Sequence, residues 1–230
     1  MSSLDESAWV VRPSLPRKLA SPVTDRLVDR SLRAFSEDLA SDAAVPGGGS
    51  AAAYAGAIGA ALAAMVGRIA QRKDEGEATS AFIAETENLR ADFIRLVDDD
   101  SAAYARVAEA MKLPKATDEE KLARKERLQS ALLAASRVPL EVATTGRRLL
   151  DACERGVATA SPATVSDIGV GAIMGEAAIR GAALNVIINL ASVQDAAQVK
   201  VLSDDLDRAV DGAEDQRKRI TEFVESRIAR

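Results

Sequence analysis

Histidine is absent from the 230 residues. That removes the Ser-His-Asp and Cys-His machines and every histidine-ligated metal site at once. Cysteine is nearly absent as well. Cys153 stands alone, so there is no intramolecular disulfide framework and no cysteine cluster for zinc or iron–sulfur. No metal is expected, and a lone thiol fits a reducing cytoplasm. Aromatic residues make up 3% of the chain, too few for base-stacking platforms. Concentrated positive charge is missing too: 30 basic against 35 acidic residues leave a formal charge of −5. That balance argues for a soluble protein and against general nucleic-acid or membrane-surface binding. Acid–base chemistry must therefore come from Asp, Glu, Lys or Tyr, with pKa values tuned by their surroundings.

What is present is helical periodicity almost from end to end. Residues 1–24 read as an extended arm, with Trp9 and three prolines (Pro13, Pro16, Pro22) and no basic-then-apolar signal layout. Residues 25–230 read as one all-α domain, a bundle of long helices. Leu27, Val28, Leu32, Phe35 and Leu39 predict a first helix of about 15 residues by their steps of three and four. A second runs from about Ser50, placed as its N-cap, to Arg72. Its uncharged stretch from Ser50 to Gly67 is nearly long enough to span a bilayer, but Ala and Gly contribute little to insertion, so a buried core helix is the better reading. A third helix spans about Thr79 to Met111, and a fourth about Asp118 to Arg155, which Pro139 should kink or split. Ser161-Pro162 predicts the start of a fifth, running through Asn189. Val199 to Ile228 reads as a single heptad-like helix. No alternating strand is visible. On the second helix Gly56, Ala60 and Ala64 lie four apart, as do Gly59, Ala63 and Gly67. Those flat faces suit tight packing in the core, or a homodimer that buries them.

Four constellations could carry chemistry. Pro46-Gly47-Gly48-Gly49-Ser50 places three glycines before a helix N-terminus, whose exposed N–H groups suit an anion or a carbonyl oxygen. No Lys follows the last glycine, which excludes a P-loop; the plain alternative is a sharp turn. Ser166-Asp167 lies in an apolar, glycine-bearing helix, where an aspartate is expensive unless hydrogen-bonded or used. Asn185 and Asn189 stand one helical turn apart and suit either a heterocycle or an inter-helix hydrogen bond. Asp100, last of the run Asp98-Asp99-Asp100, shares a helix face with Tyr104. A basic run including Lys115 and Arg124 is a solvated surface or a grip for a carboxylate.

Together these segments resemble the cyclodeaminase/cyclohydrolase family, related to the C-terminal domain of formiminotransferase-cyclodeaminase. The resemblance covers about Val23 to Val201. It rests on PGGGSAAAYAGAIGAALAAMV, DSAAYARVAEAMKLPK with the following ARK (Ala123 to Lys125), VPLEVA, and TVSDIGVGA with ALNVIINLAS. It implies an all-α dimer acting on a one-carbon tetrahydrofolate derivative as substrate, with no separate cofactor and no formiminotransferase domain. Two reactions belong to the family: hydrolysis of 5,10-methenyltetrahydrofolate to 10-formyltetrahydrofolate, and ammonia-releasing cyclisation of 5-formiminotetrahydrofolate. A chain without a transferase domain points to the first. A catalytically silent helical dimer that binds a partner protein is the reading from another class.

The roles follow from residue chemistry. Asp167 is the first candidate for the base, with Asp100 and Tyr104 as the reserve acid–base pair. Asn185 and Asn189 are expected to orient the pterin, with Ser166 beside Asp167. Pro46, Gly47, Gly48, Gly49 and Ser50 are expected to hold a polar edge of the folate. Lys115 and Arg124 are expected at its glutamate tail.

Overall fold

The computed structural model describes residues 26–73 and 75–228, and the predicted N-terminal arm lies outside the described residues. These residues are all helical, with no strand among them. After a 3₁₀ turn at Leu27–Asp29, the helices are α1 Leu32–Leu39, α2 Gly48–Gln71, α3 Glu77–Lys112, α4 Asp118–Gly156, α5 Val165–Leu190, α6 Ala196–Val210 and α7 Ala213–Ile228.

Four of them form the bundle. α2 packs on α3 and α5, α4 packs on the same two, and α6 and α7 lie outside against α4 and α5. The glycines of α2 explain the close approach. A Cβ at Gly56 would lie 2.6 Å from Phe93 Cδ1, and one at Gly59 would lie 2.8 Å from the Gly171 carbonyl oxygen. Ala53, Ala60, Ala63 and Ala64 are fully buried. The small-residue faces of α2 are thus consumed inside the chain, which corrects the expectation that they form a subunit interface. α2 and α5 are both long and apolar enough to cross a membrane. In α2 most of that apolar surface is buried against its neighbours; in α5 much of it is not.

Several predicted elements differ. The first helix is broken at Arg30, whose backbone is extended. Ser31 then caps α1, its hydroxyl accepting from the Ala34 N–H. The C-terminal helix is two helices, because Gly212 sits at φ +67°, a left-handed conformation that ends the run. Ser161-Pro162 opens a turn rather than α5: the Ser161 carbonyl accepts from the N–H groups of Thr164 and Val165, and the helix begins only at Val165.

Pro139 does not split α4, which runs continuously for 39 residues. Proline has no N–H to give the carbonyl four residues back, so Ala135 O would lose its helical partner. Asn189 Nδ2 of α5 donates to that oxygen at 3.0 Å. One polar side chain therefore repairs the ladder and ties two core helices together.

Candidate active site

The chain turns into α2 through Pro46, whose preceding peptide bond is cis, and Gly47, which is the N-cap. The N-cap lies three residues earlier than predicted, which puts Ser50 in the first helical turn instead of at the cap. Its hydroxyl is fully buried and points across to α3. It shares its one proton between Val97 O and an Asp100 carboxylate oxygen, each at 3.0 Å, with the Ser101 hydroxyl at 3.2 Å.

The three adjacent aspartates have three different fates. Asp98 accepts from Arg26 and the Leu27 N–H. Asp99 pairs with Arg95 at 2.6 Å. Asp100 alone turns inward, where its carboxylate receives the hydroxyl and backbone N–H of Ser50. Burial pushes the Asp100 carboxyl above its ordinary pKa, and the two Ser50 hydrogen bonds oppose this without cancelling it. Asp100 is therefore an acid held at the positive end of a 24-residue helix. The sequence reading missed the Ser50–Asp100 link. The only signal was that both motifs carry a serine beside the glycine or aspartate run.

Glycine is needed where the elements meet. A Cβ at Gly49 would fall 2.6 Å from Asp100 Cγ, well inside contact distance. On the other side, a Cβ at Gly48 would lie 3.4 Å from Asn185 Nδ2. Asn185 donates one N–H to Gly181 O of its own helix, at 2.9 Å, and its amide stands against the glycine turn. Helix starts leave N–H groups without intrahelical partners. The Ala51 N–H is bonded to Gly47 O, the Ser50 N–H faces Asp100, and the backbone of Gly48 and Gly49 lies between Asp100 and Asn185. Tyr104, one turn beyond Asp100, is 49% exposed at the edge of this site.

The other predicted residues lie elsewhere in the chain. Ser166 and Asp167 sit in the first turn of α5, exposed and part-exposed. Asp167 is therefore not an aspartate buried within an apolar helix, and 18 residues separate it from Asn185, roughly 27 Å along the axis. Asn189 is engaged with Ala135 O. Lys115 is exposed in the connection between α3 and α4. Arg124 donates to Met111 O at 3.0 and 3.3 Å. The structure thus brings together Gly47, Gly48, Gly49, Ser50, Asp100 and Asn185, and separates Asp167 and Ser166 from them.

The arrangement offers a carboxyl group poised to exchange a proton, beside two backbone donors and a carboxamide. Residues 31–208 match the family model described as Formiminotransferase-cyclodeaminase. The chain is 36% identical over 204 residues to a methenyltetrahydrofolate cyclohydrolase of Methylorubrum extorquens, covering 87% of this chain and 98% of that protein. It is 38% identical over 173 residues to a formimidoyltransferase-cyclodeaminase of Gallus gallus, spanning only 32% of that longer protein. Its fold is similar to the crystal structure of formiminotetrahydrofolate cyclodeaminase from Thermotoga maritima, with a TM-score of 0.75 and 25% identity over 86% of this chain and 96% of that one.

Proposed function

Because this chain belongs to the formiminotransferase-cyclodeaminase family, we propose that it hydrolyses 5,10-methenyltetrahydrofolate to 10-formyltetrahydrofolate at the Asp100 site. The observation that carries the assignment of the site is the inward-turned Asp100, buried and bonded to Ser50 beside the backbone of Gly48 and Gly49 at the helix start. The near full-length similarity to a cyclohydrolase favours this reaction over its relative.

The bridging carbon of the substrate carries a positive charge shared with N5 and N10. A carboxylate next to it stabilises that cation and takes a proton from water as the water oxygen bonds to the carbon. The adduct is neutral, and Asp100 now holds the proton. As the C–N5 bond breaks, Asp100 returns that proton to N5, and the adduct hydroxyl loses its own proton to become the formyl oxygen. The sum is one water consumed and one proton released. Acid–base assistance of this kind contributes roughly 10²–10⁴-fold. The Gly48 and Gly49 N–H groups suit the oxygen that develops negative charge, and Asn185 suits the donor–acceptor edge of the pterin.

Ammonia-releasing cyclisation of 5-formiminotetrahydrofolate is the second reading, favoured by the relatives that carry the cyclodeaminase name. It asks the same carboxyl group to protonate a leaving amine. An absorbance assay decides between them: loss of the methenyl chromophore on adding enzyme supports hydrolysis, and ammonia release from the formimino compound supports cyclisation. If neither substrate is turned over, both readings fall.

The same proposal includes a homodimer, formed by a surface other than the one the sequence suggested. On α5, Val170 and Ile173 near one end and Leu184, Ile187 and Ile188 near the other, eleven residues or about three turns further on, are 41–69% exposed. An apolar stripe along 26 residues is costly to leave in water. Helix α2 beside it adds the exposed Ile58 and Met65. A helix of this length presents a face of roughly 390 Å², taking about 1.5 Å per residue and 10 Å of width, and the exposed part of α2 enlarges it.

A further inference from the structure

Ser50 has one hydroxyl hydrogen and two neighbours that can only accept it. Val97 O and a carboxylate oxygen of Asp100 both lie 3.0 Å from its Oγ. The third neighbour, Ser101 Oγ at 3.2 Å, can give or take a hydrogen. With Asp100 charged, the Ser50 hydrogen is committed to one of the two acceptors. The Ser101 hydroxyl is then the donor in the serine pair.

The helix offers Ser101 a different partner, which it does not take. Two other buried helical hydroxyls bond back to the carbonyl four residues earlier, Thr86 to Phe82 O and Ser136 to Leu132 O, each at 2.9 Å. For Ser101 that carbonyl is Val97 O, which receives Ser50 instead. The half-buried Ser101 hydroxyl reaches across to α2.

We propose that Ser101 is a positioning residue for the reaction at Asp100: its hydroxyl donates to Ser50 and turns the single Ser50 hydrogen onto the Asp100 carboxylate. That role rests on Asp100 being the group that exchanges the proton in the proposed hydrolysis. A hydroxyl that accepts a hydrogen bond is a stronger donor, because the two bonds polarise each other. A bond to a charged oxygen is also roughly twice as strong as one to a neutral carbonyl. While Asp100 is charged, the order Ser101 to Ser50 to Asp100 therefore wins over Val97 O. Once Asp100 has taken a proton from water, that advantage is gone and the Ser50 O–H turns to Val97 O. Each serine keeps its own hydrogen throughout, and only Asp100 changes its proton count.

The charges near Asp100 are engaged elsewhere. Asp98 is held by Arg26 and Asp99 by Arg95, and Arg30, just after the 3₁₀ turn, pairs with Asp38. Residues 47–53 at the start of α2 contain no ionisable side chain. Helix α5 presents the neutral amide of Asn185, and Tyr104, one turn on, is half exposed. The titration of Asp100 therefore reports on the hydroxyls around it.

The test follows that carboxyl directly, by carbon-13 NMR titration of the full chain labelled at the aspartate Cγ atoms. The Asp100 resonance is the one lost in Asp100→Asn. Ser101→Ala should raise the pH at which it titrates by roughly 0.2–0.6 unit, about 10–30% of a hydrogen bond to a charged group. In a Ser50→Ala background the same substitution should do nothing, because Ser101 acts only through Ser50. Ser101→Thr should restore the wild-type titration. Alanine is a strong helix former, so helicity should be kept, and the acid limb of kcat/KM should follow the NMR shift. A resonance that titrates unchanged in Ser101→Ala, or that shifts equally with and without the Ser50 hydroxyl, overturns the proposal. The expected NMR pattern with an unmoved pH–rate profile leaves the hydrogen-bond order standing and overturns the catalytic reading of Asp100 instead.

Discussion

The Asp100 carboxylate occupies the space that a side chain on Gly49 would need: a Cβ there would lie 2.6 Å from Asp100 Cγ. The start of one helix and the middle of another are thereby packed backbone to carboxylate. The glycine turn and the aspartate run, 47 residues or more apart in sequence, form one structure.

That packing predicts a graded series across the three glycines. Gly49→Ala should displace Asp100 and lower both turnover and thermal stability, by the 1–3 kcal/mol typical of overpacking. Gly48→Ala meets only the flexible Asn185 amide at 3.4 Å and should cost less. Gly47→Ala has nothing within 4 Å and should be close to neutral. Melting curves and steady-state kinetics on the three variants check the order. Equal effects would show the turn to be only a turn.

Asp100→Asn should lower turnover of methenyltetrahydrofolate by roughly 10²–10⁴-fold without lowering the melting temperature at neutral pH. The sign follows from linkage. Burial raises the carboxyl pKa in the folded state, so the native protein binds the proton more tightly than the unfolded chain does. Stability from this group then falls as pH rises from the ordinary aspartate value, about 3.9, to the raised one, and above that window the charged form is a net cost. The amide removes the cost. Denaturation at pH 4 and pH 7 should show a smaller pH dependence in the variant.

Ser50→Ala should move the acid limb of kcat/KM to higher pH. The Ser50 hydroxyl favours the charged form of Asp100, so deleting it raises the carboxyl pKa further. A pH–rate profile of the variant is the measurement, and an acid limb that stays in place would remove Asp100 from the role of titrating group.

Asn189→Leu should destabilise the protein by about 1–3 kcal/mol, because Ala135 O then has no donor. Pro139→Ala in that background should recover much of the loss, since alanine restores an N–H four residues after Ala135. A double-mutant cycle in urea reads the coupling; additive effects would mean the amide does not serve the proline.

Leu184→Glu places a charge in the apolar stripe of α5 at a residue 69% exposed in the single chain. It should leave helicity unchanged and shift the sedimentation coefficient to that of a monomer. A dimer unaffected by this substitution would move the interface away from α5.

Periodicity determined a great deal of this protein by itself. The positions of α2, α3 and α4 are legible because their apolar residues recur at helical spacing over many turns, and the composition alone excludes histidine chemistry. The resemblance carried by PGGGS, DSAAY and ALNVIIN pointed to the right family from the residues as they stand. Breaks were harder to see. The gaps at Arg30 and Asp211–Gly212 are single backbone conformations inside patterns that stay in phase across them. Only the tertiary structure decided which polar residues act together. Whether a helical aspartate turns inward depends on what packs opposite it, and Asp98, Asp99 and Asp100 have the same side chain with three different neighbours. Asp100 faces the glycine turn because α3 lies against the start of α2, whereas Asp167 stands at the other end of α5, in a first turn where its charge is tolerated. Asn189 reads in sequence as a possible ligand contact, and the fold gives it the carbonyl that Pro139 leaves unpaired.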